Sequence, residues 1–211
     1  MIYWKNMVVL KINRKNFKEI VKITVEAIKE GKVIICPTDT VYGLICDAGN
    51  KAAVRKIFKI KKRSFQKPIS LFVKDFKTAK KIAKIDKNQG KFLNKLWPGK
   101  LIAVLEVNPS MWLRAGRKFP RGIVCRWGKI GLRIPNHKLL AAILNKFKNP
   151  LVQTSANISG KPASTKIKDV LKQFGNQKIK PDLVIDAGNL KHSKPSKVID
   201  LTEEKPKILR K

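Results

Sequence analysis

Four short polar segments hold most of the side chains in this chain that could do chemistry. The first, Pro37-Thr38-Asp39-Thr40-Val41-Tyr42-Gly43-Leu44, is hydroxyl-rich and follows an apolar run. It offers converging donors and acceptors for a small polar ligand, although taken alone it reads first as an ordinary turn. The second, Lys61-Lys62-Arg63-Ser64-Phe65-Gln66-Lys67-Pro68, puts four cations within seven residues at the end of a helical pattern. Cations there complement the helix dipole. Their density, and a proline that forces the chain to extend, suit a grip on phosphate, with arginine as a planar fork and lysine as a mobile point charge. The third, Gly131-Leu132-Arg133-Ile134-Pro135, sets an arginine inside an apolar strand, and a buried charge needs a partner. With Asp+Glu at 14 against Lys+Arg at 48, an external anion is a better expectation than an internal ion pair. The fourth, Gln153-Thr154-Ser155-Ala156-Asn157-Ile158-Ser159-Gly160-Lys161-Pro162, follows a strand with small hydroxyl and amide groups. It suits close approach by a nucleotide, or is a plain strand-to-loop turn.

Other chemistries have little support. There is no G-x-x-x-x-G-K-[ST] or G-x-G-x-x-G pattern, so a standard P-loop or Rossmann route to ATP is not indicated. His137 and His192 are the only histidines, and neither stands in a ligand-like cluster; His137, at a helix start, reads as structural. Cys36, Cys46 and Cys125 match neither a disulfide framework nor a zinc ribbon, and Cys36 and Cys125 read as small core residues. The formal net charge of +34 favours nucleic acid or phosphate ligands. Lysine is scattered through the whole chain, however, so composition alone does not separate an RNA-binding module from an enzyme with an anionic substrate.

The elements that must position these groups follow from periodicity. Helices are predicted over Asn16–Glu30, Lys51–Ile60, Phe76–Ala83, Lys87–Leu96, Lys138–Phe147 and Ile167–Phe174, the first with a capping box of Asn16 and Glu19. Strands are predicted over Val33–Cys36, Ile69–Val73, Leu101–Val107, Ile123–Arg126, Ile130–Ile134, Leu151–Thr154, Leu183–Ile185, Val198–Leu201 and Ile208–Leu209. Several strands are neighbours without an intervening helix, which gives an α/β class with a mixed, twisted sheet. Met111–Arg126 is the most loop-like and basic interior stretch. No apolar run approaches the length of a membrane span, and the expectation is a single soluble, cytoplasmic domain over 1–211.

Taken in order, the segments resemble the YrdC/TsaC family of threonylcarbamoyl-AMP synthases, from about Phe17 to the C-terminus. Five motifs stand in family order at approximate family spacing: the Pro-Thr-Asp-Thr-Val-Tyr-Gly-Leu run, the Lys-x-Arg of Lys61 and Arg63, Trp97-Pro98-Gly99, the Arg-x-Pro of Arg133, and the Ser-Ala-Asn-x-Ser-Gly run from Ser155. The resemblance implies a YrdC-like twisted open mixed β-sheet with flanking helices and a concave basic cavity. It implies an L-threonylcarbamoyladenylate synthase, a nucleotidyltransferase acting on L-threonine, bicarbonate and ATP to prepare threonylcarbamoyladenosine in tRNA next to the anticodon. Lys61, Arg63, Ser155 and Asn157 would be catalytic and, with Arg210, would bind ATP. Thr38, Arg133 and Ser196 would bind threonine. Mg²⁺ would accompany ATP without a dedicated protein site. Partners would be the downstream tRNA threonylcarbamoyl-transferase machinery and possible tRNA or other RNA. Two departures stand out: Lys129 and Lys197 occupy positions where relatives commonly carry Thr. The chain also ends where the short form of the family ends.

Carbamate, phosphate and carboxylate are all anionic, so a cavity lined by Lys61, Arg63 and Arg133 would offset their mutual repulsion and hold them in line. The rival reading is a non-catalytic RNA-binding protein using a basic face on double-stranded or ribosomal RNA, with salt-sensitive affinity and no pyrophosphate release. A carbamoyl-transferring domain of a larger enzyme is a second rival, disfavoured by the lack of zinc-finger cysteines.

Overall fold

The computed structural model describes residues 2–4, 7–108, 119–124 and 127–211. The first half of the chain forms β1 (Ile2–Trp4), β2 (Met7–Lys11), α1 (Phe17–Lys29), β3 (Ile34–Cys36), β4 (Gly43–Asp47), α2 (Lys51–Lys61), β5 (Ser70–Phe72), α3 (Phe76–Ile82), α4 (Lys87–Asn94) and β6 (Leu101–Glu106). Then follow β7 (Lys129–Arg133), α5 (Lys138–Phe147), β8 (Leu151–Ser155), α6 (Ile167–Phe174), β9 (Leu183–Asp186), β10 (Lys197–Asp200) and β11 (Lys207–Arg210).

The eleven described strands join one sheet in the order β1-β2-β9-β3-β4-β8-β5-β7-β6-β10-β11. Pairing is parallel at β2–β9, β9–β3, β5–β7 and β6–β10 and antiparallel elsewhere, so the sheet is mixed and open. The period of two along each strand sorts side chains onto two faces. Ile35, Leu44, Cys46, Leu71, Val73, Ala103, Leu105, Leu132 and Val152 belong to one core, covered by apolar residues of α2, α3, α4 and α6. Ile34, Cys36, Ile45, Phe72 and Leu151 belong to the other core, under the apolar faces of α1 and α5. Those two helices cover only part of their face. Beyond them the sheet continues through β7, β6 and β10, whose residues on this side line a cavity instead.

Most helices and strands lie where periodicity puts them, with differences at particular places. The Asn16–Glu19 capping box does not form. Asn16 Oδ1 accepts from the Asn13 amide at 2.8 Å and its Nδ2 donates to the Lys11 carbonyl at 2.8 Å, a loop tie that competes with the cap. A true capping box closes α4, between Asp86 and Gln89. β1 and β2 are not among the predicted strands: each is a short run closed by a charged residue, and pairing in the sheet makes them strands. The turn reading of Pro37–Leu44 stops too late. Gly43–Asp47 is β4, buried between β3 and β8. Of the expected Ile123–Arg126 strand, Val124 bridges Ile130, while residues 125–126, with Cys125, and residues 109–118 of the basic stretch lie outside the described residues. Cys36 and Cys46 are buried free thiols, their pKa values pushed up by burial. Among the described residues no helix is long and apolar enough to cross a membrane.

Candidate active site

The cavity has a volume of about 420 Å³. Its walls come from the Thr38–Gly43 loop, the segment from Arg63 to Ser70, the inward faces of β6, β7 and β10, Gln153–Ser155 of β8, and Leu209 with Arg210 at the edge of the sheet. The charged side chains among its lining residues are Arg63, Lys129 and Arg210 against Asp200. Of the residues singled out in the sequence, Thr38, Arg63, Ser155, Ser196 and Arg210 reach the cavity wall directly. Lys61, Asn157 and Arg133 stand immediately behind it.

Lys61 is the last residue of α2 and is only 2% exposed. Its Nζ donates to the Ser155 carbonyl at 2.6 Å, the Asn157 carbonyl at 2.8 Å and Asn157 Oδ1 at 3.0 Å. An ammonium has three N–H groups, and each finds an oxygen. Lys61 thus supports the loop and does not line the cavity, which corrects the expectation of a phosphate-facing lysine. Burial, and then the nearby charge of Arg63, pull its pKa down to about 7. Lys62 takes a left-handed conformation with φ 50°, which ends the helix. The reversal sends Lys61 inward and Arg63 to the cavity. Arg63 Nε donates to the Lys67 carbonyl at 2.8 Å and Nη2 to the Pro68 carbonyl at 3.0 Å, which fixes the fork with its remaining N–H groups available to an anion.

The loop after β8 is built around Asn157. Its Oδ1 also accepts from Ser155 Oγ at 2.6 Å, and its Nδ2 donates to the carbonyls of Lys161 at 2.5 Å and Ile158 at 3.1 Å. The hydroxyl proton of Ser155 is therefore committed, and its oxygen offers acceptor capacity to the cavity. Beside it runs Gly43, where a Cβ would meet the Thr154 carbonyl and Thr38 Cγ2, each at 3.2 Å, so the β4 backbone itself forms wall.

Arg133 is 1% exposed, and its partner is internal. Nη2 pairs with Asp39 Oδ1 at 2.6 Å, Nε donates to the Gly99 carbonyl at 2.8 Å, and Nη1 donates to Ser196 Oγ. The expectation of an external anion is overturned: overall scarcity of acids says nothing about where one acid is placed. Asp39, not singled out in the sequence, also accepts from the Asn136 amide at 3.2 Å. Arg210 doubles its hold on this region through Nε and Nη2, both donating to the Ser196 carbonyl, at 2.9 and 2.6 Å.

Thr38 differs in another way. Its hydroxyl donates to the Val41 carbonyl at 2.6 Å and accepts from the Thr40 amide at 3.0 Å, and lies 3.0 Å from Thr40 Oγ1. With its single proton given to Val41, the bond between the two hydroxyls must come from Thr40. Thr38 Oγ1 is saturated and shapes the turn. Thr40, missed in the sequence, keeps oxygen lone pairs for the cavity. Lys129 and Asp200 also line the wall, as an ion pair of 3.1 Å. Burial works against the Asp200 carboxylate, but hydrogen bonds from Thr202 and Lys129 bring its pKa below the ordinary value.

Tyr42 ties the first loop to the chain after β9. Its hydroxyl donates to the Gly188 carbonyl at 2.7 Å and accepts from the Ala187 amide at 3.0 Å. Tyr42→Phe leaves both without that partner and is expected to cost about 1 kcal/mol, read as a lower urea midpoint at unchanged slope.

A family model described as "Telomere recombination", that of Sua5, YciO and YrdC, matches residues 26–211. A putative threonylcarbamoyl-AMP synthase of Methanocaldococcus jannaschii is 34% identical over 197 residues, covering 93% of this chain and 87% of that one. A threonylcarbamoyl-AMP synthase of Klebsiella pneumoniae is 28% identical, covering 86% of this chain and 91% of that protein. Among solved structures, Pyrococcus abyssi Sua5 complexed with L-threonine superposes with a TM-score of 0.81 at 31% identity. That match covers 97% of this chain but 56% of the Pyrococcus chain, so this chain spans little more than half of that relative.

Proposed function

The chain belongs to the Sua5, YciO and YrdC family, and on that premise we propose that it makes threonylcarbamoyl-AMP and pyrophosphate from L-threonine, bicarbonate and ATP. The observation that carries the reading is the convergence of Arg63, Ser155, Ser196 and Arg210, from four distant parts of the chain, on one cavity. Its volume, about 420 Å³, is in the range of small-ligand sites. Relatives that bear the name of this activity, and one that holds L-threonine on the same fold, support it.

In this reading the amine of threonine adds to bicarbonate with loss of water, giving an N-carboxylate. One carbamate oxygen then attacks the α-phosphorus of ATP, and pyrophosphate leaves. Arg63 and Arg210 offset the repulsion between the incoming carbamate and the phosphates and hold the reacting atoms in line. The Ser155–Asn157 loop, braced by Lys61, sets the wall against which the nucleotide lies. Ser196 and Thr40 face the amino acid, with Thr38 shaping the turn and Arg133 adding positive charge from behind Ser196. Magnesium arriving with ATP would be held chiefly by phosphate oxygens and water, with Asp200 the carboxylate on the wall, and would neutralise phosphate charge there. The product's place in the cell is the modification of tRNA, by a transferase that consumes the adenylate.

The test is incubation with ATP, labelled bicarbonate and threonine, followed by separation of nucleotides. Labelled adenylate should appear, and omission of threonine should abolish pyrophosphate release. Equal release without threonine would point to another acceptor, and salt-sensitive RNA binding with no release would favour the RNA-binding reading.

A further inference from the structure

Helix α6 supplies none of the residues that line the cavity, yet two of its side chains grip the chain between two cavity walls. That chain leaves β8 at Ser155, passes Asn157 and reaches Ser164, whose carbonyl accepts from the Tyr42 amide of the first loop at 3.2 Å. Asp169 and Gln173 stand four residues apart on α6 and so share one face of it, while Ile167, Val170 and Phe174 are buried in the core. Asp169 Oδ2 accepts from Ser164 Oγ at 3.0 Å. Gln173 does more. Its Oε1 accepts from the Ile158 amide at 3.0 Å, and its Nε2 donates to the Pro162 carbonyl at 2.9 Å.

One carboxamide therefore closes both ends of a turn. Inside it the Lys161 amide donates to the Ile158 carbonyl at 2.9 Å, and Gly160 takes the left-handed position with φ 86°. Only an amide side chain presents an acceptor and a fixed donor together, as this pair of backbone groups requires; glutamate lacks the donor and lysine the acceptor. The same turn carries the carbonyls of Ile158 and Lys161, to which Asn157 Nδ2 donates. Asn157 Oδ1 in turn takes the proton of Ser155 Oγ, on the cavity wall. Lys61 holds this assembly from the core side, and its carbonyl accepts from the Ser159 amide at 2.8 Å. Gln173 holds it from the other.

We propose that Gln173 is a positioning residue for the nucleotide: by pinning the turn after β8 to α6, it sets Asn157, and through it Ser155, against ATP. The inference rests on the reading of the preceding section, that ATP lies along this wall. It extends the site's support to a helix that never touches the cavity.

The experiment is equilibrium binding of ATP and of L-threonine to wild type and two variants, with amide exchange on the unliganded proteins. Gln173→Met keeps the length of the side chain and loses both bonds; ATP should bind about tenfold more weakly, with threonine affinity within about twofold. Gln173→Glu keeps the acceptor for Ile158 and loses the donor, so it should recover part of the loss, to about threefold below wild type. Exchange of the Ile158 amide should rise about tenfold or more in Gln173→Met, while the Ser159 amide, bonded to Lys61, stays protected. Lys172→Ala, an exposed change on the same helix, should bind as wild type does. Unchanged ATP affinity in both Gln173 variants, or an equal loss for ATP and threonine, overturns the positioning role. So does a Ser159 amide that loosens together with Ile158, which would mark general destabilisation. A wild type that binds no ATP overturns the synthase reading as well, whereas one that binds ATP with affinity unmoved in the variants overturns this inference alone.

Discussion

Lys61→Met is expected to lower stability by about 3 kcal/mol and turnover by ~10²-fold or more, because the change strips three oxygens of their donor at once. The Ser155 carbonyl, the Asn157 carbonyl and Asn157 Oδ1 all give up a bond to a side chain that is 2% exposed, so water cannot readily replace it. Each buried acceptor left alone costs about 1–3 kcal/mol, and the relief of removing a buried ammonium offsets part of the sum. Activity falls because the loop carrying Ser155 and Asn157 loses its brace, not because a phosphate contact disappears. Urea unfolding and steady-state kinetics on the same protein separate the two losses. A variant that is destabilised yet turns over normally would contradict the bracing role.

The same residue gives the stability a pH dependence of defined sign. Its folded pKa is about 7, below the ordinary 10.5. Between those values the unfolded chain holds a proton that the folded chain has released, so the contribution to stability rises with pH through that window. Wild type should gain on Lys61→Met between pH 7 and 10.

Arg63→Ala is expected to reduce kcat/KM by ~10²–10³-fold, or about 2–4 kcal/mol of transition-state stabilisation, with little change in the folding midpoint. Unlike Lys61, Arg63 lines the cavity, and its two internal bonds are to the carbonyls of its own loop, at Lys67 and Pro68. Those carbonyls can turn to water when the guanidinium is gone. Lysine at this position should recover only part of the loss, since it supplies charge without the planar fork. Near-normal turnover of Arg63→Ala with ATP and threonine saturating would remove Arg63 from the reaction.

The two variants separate charges that the sequence presents as one motif. Lys61 and Arg63 are two residues apart, yet the left-handed turn at Lys62 sends one into the core and the other to the ligand. A similar division holds for Thr38 and Thr40, and for Arg133 and Ser196. In each pair one member builds the wall and the other faces the space.

The chain's own pattern determined the alternating elements, the mixed sheet and the segments that gather at the cavity, because hydrophobic period and turn chemistry are local properties. Helices such as Lys138–Phe147 and strands such as Leu101–Glu106 carry enough periodicity to be read without their neighbours. The motif order pointed to the right family for the same reason. Only tertiary structure decided which polar groups face inward, since that depends on partners far away along the chain. Asp39 meets Arg133 across 94 positions, Lys61 meets Asn157 across 96, and Gln153 meets Ser70 across 83. β2 and β4 likewise became strands through pairing with distant segments, and β1 through pairing with β2, as the backbone groups of short or irregular runs must find hydrogen-bond partners wherever the sheet supplies them.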